Sequence, residues 1–172
     1  MEVELERTFL LKYKPKGVND CKSVEILDVY FPREEFHPVL RLRKKGDKLE
    51  LTKKFPINGQ DSSEQEEHTI KLSEKEFDAV SKLDGKRVRK IRYYYGLPGG
   101  QLAEIDVFKD ELEGLVLADF EFKTKEEKDN FLMPDFCLAD VSQDKWLAGG
   151  LLAGKSYVDI EKVFEKYNYR KI

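Results

Sequence analysis

The chain is poor in the residues that staple or anchor a protein. Its two cysteines, Cys21 and Cys137, are too few for a disulfide scaffold and too far apart for a CxxC metal site. Such usage fits reduced thiols in an intracellular protein. No apolar run approaches the roughly 20 residues a membrane helix needs. The acidic start runs straight into a strand-like pattern, not a signal peptide. The expectation is a soluble cytoplasmic protein without membrane contact. Basic excess is lacking too: 31 Lys and Arg stand against 34 Asp and Glu, which argues against nucleic acid as a partner. Solenoid repeats and Pro-, Gly- or Ser-rich linkers are absent, so residues 1–172 read as one domain.

What the chain has is short alternating segments. Strand patterns fall at 2–11, 26–32, 38–44, 48–55, 65–71, 87–96, 101–109 and 115–122. "KKGDK" and "GLPGGQ" have hairpin-turn chemistry, and "PINGQDSSEQ" (56–65) is a polar loop. Ser73 with Glu76, and Thr124 with Glu127, form capping boxes for two helices, the second ended by Pro134. A C-terminal helix carries Ile160, Val163, Phe164 and Tyr167 on one face. Eight strands in mostly antiparallel succession, with few helices, predict an α+β fold: an eight-stranded antiparallel β-barrel with flanking α-helices.

The charge pattern is unusual. In β-type alternation, Val3, Leu5, Phe9 and Leu11 interleave with Glu4, Glu6, Thr8 and Leu10. Same-sign pairs at i, i+2 recur: Arg41 with Arg43, Lys90 with Arg92, Glu104 with Asp106, and Asp119 with Glu121. Lys54 joins them from a neighbouring strand. A solvated sheet face mixes signs, because like neighbours repel. Signs sorted by strand instead suit a wet lumen with a charged guest, such as a polyphosphate with a divalent metal.

These motifs, in order, resemble the CYTH family of triphosphate tunnel metalloenzymes. "ELERTFL" is similar to the family's ExExK opening. "LRLRKKGDKLELTKK" is similar to its RxR and LTxK strands, and "KIR", "EIDVF", "GLVLADFEF" and "VSQDKWLAGGLLA" to its later signatures. The likeness runs to about residue 153. It implies a tunnel that binds a triphosphate with Mg²⁺ or Mn²⁺. Its implied activities are those of an inorganic or thiamine triphosphatase, an adenylyl cyclase or an RNA triphosphatase. By motif, Glu4, Glu6 and Glu121 would be metal ligands supported by Asp119 and Asp106. Arg41, Arg43, Lys54, Lys90 and Arg92 would clamp phosphate. Tyr30, with Glu4 and Glu6, would carry catalysis, and Glu66 aligns more loosely.

Two positions depart from the pattern. Thr8 replaces the lysine of ExExK, which pairs with a tyrosine in relatives; Lys12 is a distant substitute on the same strand. Trp146 stands where many relatives carry arginine and reads as a packing cap rather than a stacking surface. His37 and His68 match no metal-ligand spacing and read as incidental. The leading expectation is triphosphate hydrolysis. The alternatives are adenylyl cyclase chemistry and a non-catalytic triphosphate binder caused by Thr8. The C-terminal helix is expected to close the tunnel or to make a homodimer contact.

Overall fold

The computed structural model describes residues 2–56 and 64–172, with side chains from 5 to 55 and from 64 onward. The centre of the polar loop, 57–63, and the side chain of Glu4 lie outside the described residues. The strands are β1 (Glu2–Leu11), β2 (Ser23–Phe31), β3 (Leu40–Lys45), β4 (Lys48–Pro56) and β5 (Glu64–Lys71). They continue as β6 (Lys86–Gly96), β7 (Leu102–Phe108), β8 (Val116–Phe122) and β9 (Cys137–Asp140). The helices are α1 (Glu74–Ser81), α2 (Lys125–Asn130), α3 (Gly149–Leu152) and α4 (Tyr157–Glu165).

The sheet order is β5-β4-β3-β2-β6-β7-β8-β1, and β5 pairs back onto β1, closing an eight-stranded antiparallel barrel. Glu4 faces Gln65 across that seam in the backbone register. The short β9, absent from the sequence reading, continues along the same edge of β1 beyond β5, with Leu11 opposite Cys137. The β6–β7 hairpin closes through Gly99 and Gly100, both at positive φ, which only glycine adopts without strain.

Alternation divides each strand into an outer apolar face and an inner face. Outside β1, β7 and β8, the residues Phe9, Ile105, Ala118 and Phe120 are fully buried with Phe136 and Cys137 of the covering segment. Outside β2 and β3, Val29, Phe31 and Leu42 pack under Phe77 and Val80 of α1. The charged faces therefore turn inward, with α1 covering one apolar face and the segment of Phe136 and Cys137 the other.

The inner face is not charged throughout. At one end Leu10, Tyr30, Val88, Phe108 and Leu117 form an apolar layer. The chain plugs this end with Val141, Leu147 and Leu152, and then seals it with Tyr157, Ile160 and Phe164 of α4. α4 buries Ile160 and Phe164 as its sequence spacing predicts, with Tyr157 added and Val163 half-buried. The Tyr169 hydroxyl donates to Gly114 O and accepts from Val116 N, each at 2.8 Å, tying the tail to the barrel.

Of the two helix caps, Ser73 and Glu76 form a reciprocal box. Thr124 accepts from Glu127 N, but the Glu127 side chain takes Lys123 N instead. α2 ends at Asn130, four residues before Pro134.

Candidate active site

A cavity of about 390 Å³ occupies the lumen above the apolar layer. Its walls carry Glu6, Thr8, Tyr30, Arg41, Arg43, Lys54, Lys90, Arg92, Glu104, Asp106, Asp119 and Glu121. Every lumen residue expected from the alternating doublets whose side chain is described is thus in one place. Glu66 is not: it points away and pairs with His68 at 2.6 Å. Its neighbour Glu67 lines the cavity and meets Lys54 at 3.2 Å. A one-residue shift in strand phase exchanges the two faces, and the loop before β5 concealed that phase. Lys12 is no substitute for the missing lysine, because its Nζ donates to Asp135 O at 3.0 Å outside the barrel.

Strand order sorts the lumen by sign. The neighbours β7, β8 and β1 supply Glu104, Asp106, Asp119, Glu121 and Glu6, an acidic wall. The arc β4-β3-β2-β6 supplies Lys54, Arg41, Arg43, Lys90 and Arg92, with two acids, Asp28 and Glu50, set among them. Asp28 escaped the sequence reading because it has no like-charged neighbour at i±2. It holds Arg43 through two hydrogen bonds of 2.7 Å. Burial pushes the Asp28 carboxyl up, but Arg43 outweighs it and keeps it below the usual carboxylate range.

Arg92 joins the two walls. It grips Asp106 through two bonds of 2.7 Å, reaches Asp119 at 3.1 Å, and pairs with Glu104. Lys90 pairs with the same Asp106. Both Asp106 oxygens are therefore held by cations, so this carboxylate anchors the basic residues rather than facing the cavity with a free oxygen. Burial pushes the Asp106 carboxyl up, yet Arg92 and Lys90 hold it far below the ordinary range. Burial draws the Lys90 ammonium below its ordinary value, against the pull of Asp106.

Two groups suit an anionic guest. The buried Nε of Arg41 has no hydrogen-bond partner, a costly state that an acceptor in the lumen would relieve. Beside it, the Tyr30 phenol is pushed above its ordinary value by burial and by Asp28, so it stays protonated and can donate. Thr8 donates its hydroxyl to Asp119 Oδ1 at 2.7 Å.

The acidic wall suits a hard cation. Its donors are carboxylate oxygens, the ligands preferred by Mg²⁺ and Mn²⁺. Glu6 and Glu121 sit directly opposite in the β1–β8 register, where like charges repel and a cation between them would be favourable. Among the described residues no three such groups are already drawn together. Glu4 precedes Glu6 by two residues on β1, and its side chain lies outside the described residues. Trp146 stands on a turn (Lys145–Leu147), is 46% exposed, and meets Phe36 edge-on, centroids 5.7 Å apart.

A closed antiparallel barrel with a sign-sorted lumen defines a class of polyanion-binding tunnels, and the comparisons agree. The CYTH domain model matches residues 2–134, and the chain belongs to the CYTH family. It is 31% identical to an inorganic triphosphatase of Nitrosomonas europaea over 143 residues, covering 83% of this chain and 91% of that protein. A crystal structure of an inorganic triphosphatase, 28% identical, matches with a TM-score of 0.65 over 90% of this chain and 97% of its own. A Bacillus halodurans protein provisionally assigned as an adenylate cyclase, 14% identical, shares the fold at a TM-score of 0.54 over 99% of this chain and 92% of its own. No helix among the described residues is long and apolar enough to cross a membrane.

Proposed function

We propose that this protein hydrolyses a triphosphate, inorganic triphosphate or a small organic one, inside the barrel lumen with Mg²⁺ or Mn²⁺. The observation that carries the reading is the division of one lumen into a contiguous acidic wall and a contiguous basic arc. Only a guest with dense negative charge and a divalent counter-ion matches both.

In this reading Arg41, Arg43, Lys54 and Lys90 receive the phosphate oxygens, and the orphaned Arg41 Nε gains an acceptor. Arg92, already bound to three acids, adds charge and keeps the two walls at a fixed spacing. Glu4, Glu6 and Glu121, with Asp119 beside them, hold the cation, whose chemistry is to neutralise charge on the phosphate oxygens. Asp106 holds Lys90 and Arg92 in place. Tyr30, protonated at the inner end of the lumen, donates a hydrogen bond that orients an attacking water or a phosphate oxygen.

Phosphoryl transfer depends mainly on positioning and electrostatic stabilisation. A strong base at position 8 is therefore dispensable in principle, and Thr8 serves by fixing Asp119. The reading is tested by phosphate release from inorganic triphosphate, ATP and thiamine triphosphate with Mg²⁺, Mn²⁺ or EDTA. Metal-dependent release from one of them is expected. Binding without release in the wild type, with release appearing in Thr8→Lys, would instead establish a non-catalytic binder.

A further inference from the structure

The lumen has a polar corner that the family motifs do not account for. The β2–β3 connector, residues 32–39, crosses the plugged end of the barrel, and its His37 lines the cavity with Tyr30, Arg41 and Lys145. This connector is pinned. Arg33 binds Asp84 and Gly85 O, each at 2.7 Å, and the Lys86 ammonium donates to Glu35 O at 2.5 Å. On the other side Phe36 packs against Trp146. The backbone beyond His37 lies so close to α3 that a Cβ on Gly150 would stand 2.2 Å from Pro38 O and 3.1 Å from the His37 ring. His37 is therefore held at the cavity by contacts on both flanks.

The charges around it are of one sign. Lys145 from the turn before α3 and Lys86 from β6 act on the ring, while Arg41 from β3 and the neutral Tyr30 from β2 line the same cavity. Asp144, an acid of the plug that lines the same cavity, is held by Lys166 at 2.8 Å and by the Tyr167 hydroxyl at 3.2 Å. On the connector itself Glu34 and Glu35 are exposed. Partial burial, then Lys145 and Lys86, draw the ring below its ordinary value, so it is neutral near pH 7. A polyphosphate reverses that balance, because its charge favours the imidazolium.

We propose that His37 is a substrate-contacting residue that binds the triphosphate as an imidazolium, taking up a proton from solvent as the ligand enters the lumen. This rests on the proposed triphosphate reading. Between the free and the bound titration points of His37, binding tightens as pH falls, up to tenfold per pH unit of separation. Below the free value the gain is complete, and above the bound value it is lost.

His37 and His68 are the chain's two histidines, and His68 lies outside the lumen with Glu66. Their ring signals can thus be titrated by NMR, one reporting the site and the other serving as an internal control. The ligand is a triphosphate with methylene groups in place of its bridging oxygens, which cannot be hydrolysed. The expected result is an upward shift of the His37 midpoint by about one pH unit or more, with His68 unmoved. Lys145→Gln should raise the free midpoint, and His37→Gln should flatten the pH dependence of affinity. If the ligand binds but the His37 midpoint stays put, the inference is overturned and the triphosphate reading stands. If the ligand does not bind the wild type at all, both fall.

Discussion

Asp106 is 1% exposed and holds two cations, so its removal tests more than one bond. Asp106→Ala takes from buried Lys90 its carboxylate partner and leaves Arg92 held by Glu104 and Asp119 only, expected to cost about 3–5 kcal/mol. Chemical denaturation should show that loss together with reduced triphosphate affinity. Acid sensitivity follows from the same pairings. Asp28 and Asp106 titrate below their unfolded values in the native state. Their stabilisation is therefore complete above about pH 4, the ordinary carboxylate value, and is lost as pH falls through the depressed native values. Urea melts between pH 7 and pH 2 should decline in that acid window, and the decline should be shallower in Asp106→Asn.

At the scale of elements, the plug is where shape and chemistry meet. A Cβ on Gly149 would fall 2.1 Å from the Tyr30 hydroxyl, a side-chain end that can move, whereas Gly150 faces backbone at Pro38. Gly149→Ala should fold while displacing Tyr30 and slowing turnover, and Gly150→Ala should lower the melting temperature more. Phe164, 1% exposed within the α4 seal, should cost about 3–5 kcal/mol as alanine.

The strands were legible in sequence because eight runs carried an alternating period, and five of them a same-sign pair of charges as well. On β1, the face Glu4, Glu6, Thr8, Leu10 already contained the charged lumen and the apolar layer behind it. The plug was not legible: the turn at Lys145–Leu147 and the four-residue α3 are too short to show a period. His37 matches no metal-ligand spacing, and a connector has no alternation to show that it lines the cavity. Glu66 was preferred to Glu67 because the polar stretch 56–65 before β5 has no alternation in sequence to set the strand's phase. Asp28 lacked a like-signed companion, so a search for doublets missed it.

For the whole molecule, the segregation of charge predicts mutual dependence of metal and anion. Each wall repels itself, and each guest makes the other's binding more favourable. Inorganic triphosphate at a hundredfold excess over its Kd should add about 2.7 kcal/mol of stability. For a chain of this size that is roughly 5–10 °C in melting temperature. The shift should be largest with Mg²⁺ or Mn²⁺ present and should shrink in high salt, which screens the exposed part of the lumen.

The central claim is that this bipolar lumen is where triphosphate is cleaved. The most direct test is the rate of phosphate release from inorganic triphosphate for the wild type, Arg41→Ala and Glu121→Gln. Each would be measured with Mg²⁺, Mn²⁺ or EDTA, after circular dichroism shows the variants folded. The account expects metal-dependent release by the wild type and a loss of about 100-fold or more in each variant, consistent with removing a charge that stabilises the transition state. Release that persists unchanged in both folded variants, or in EDTA, would contradict it.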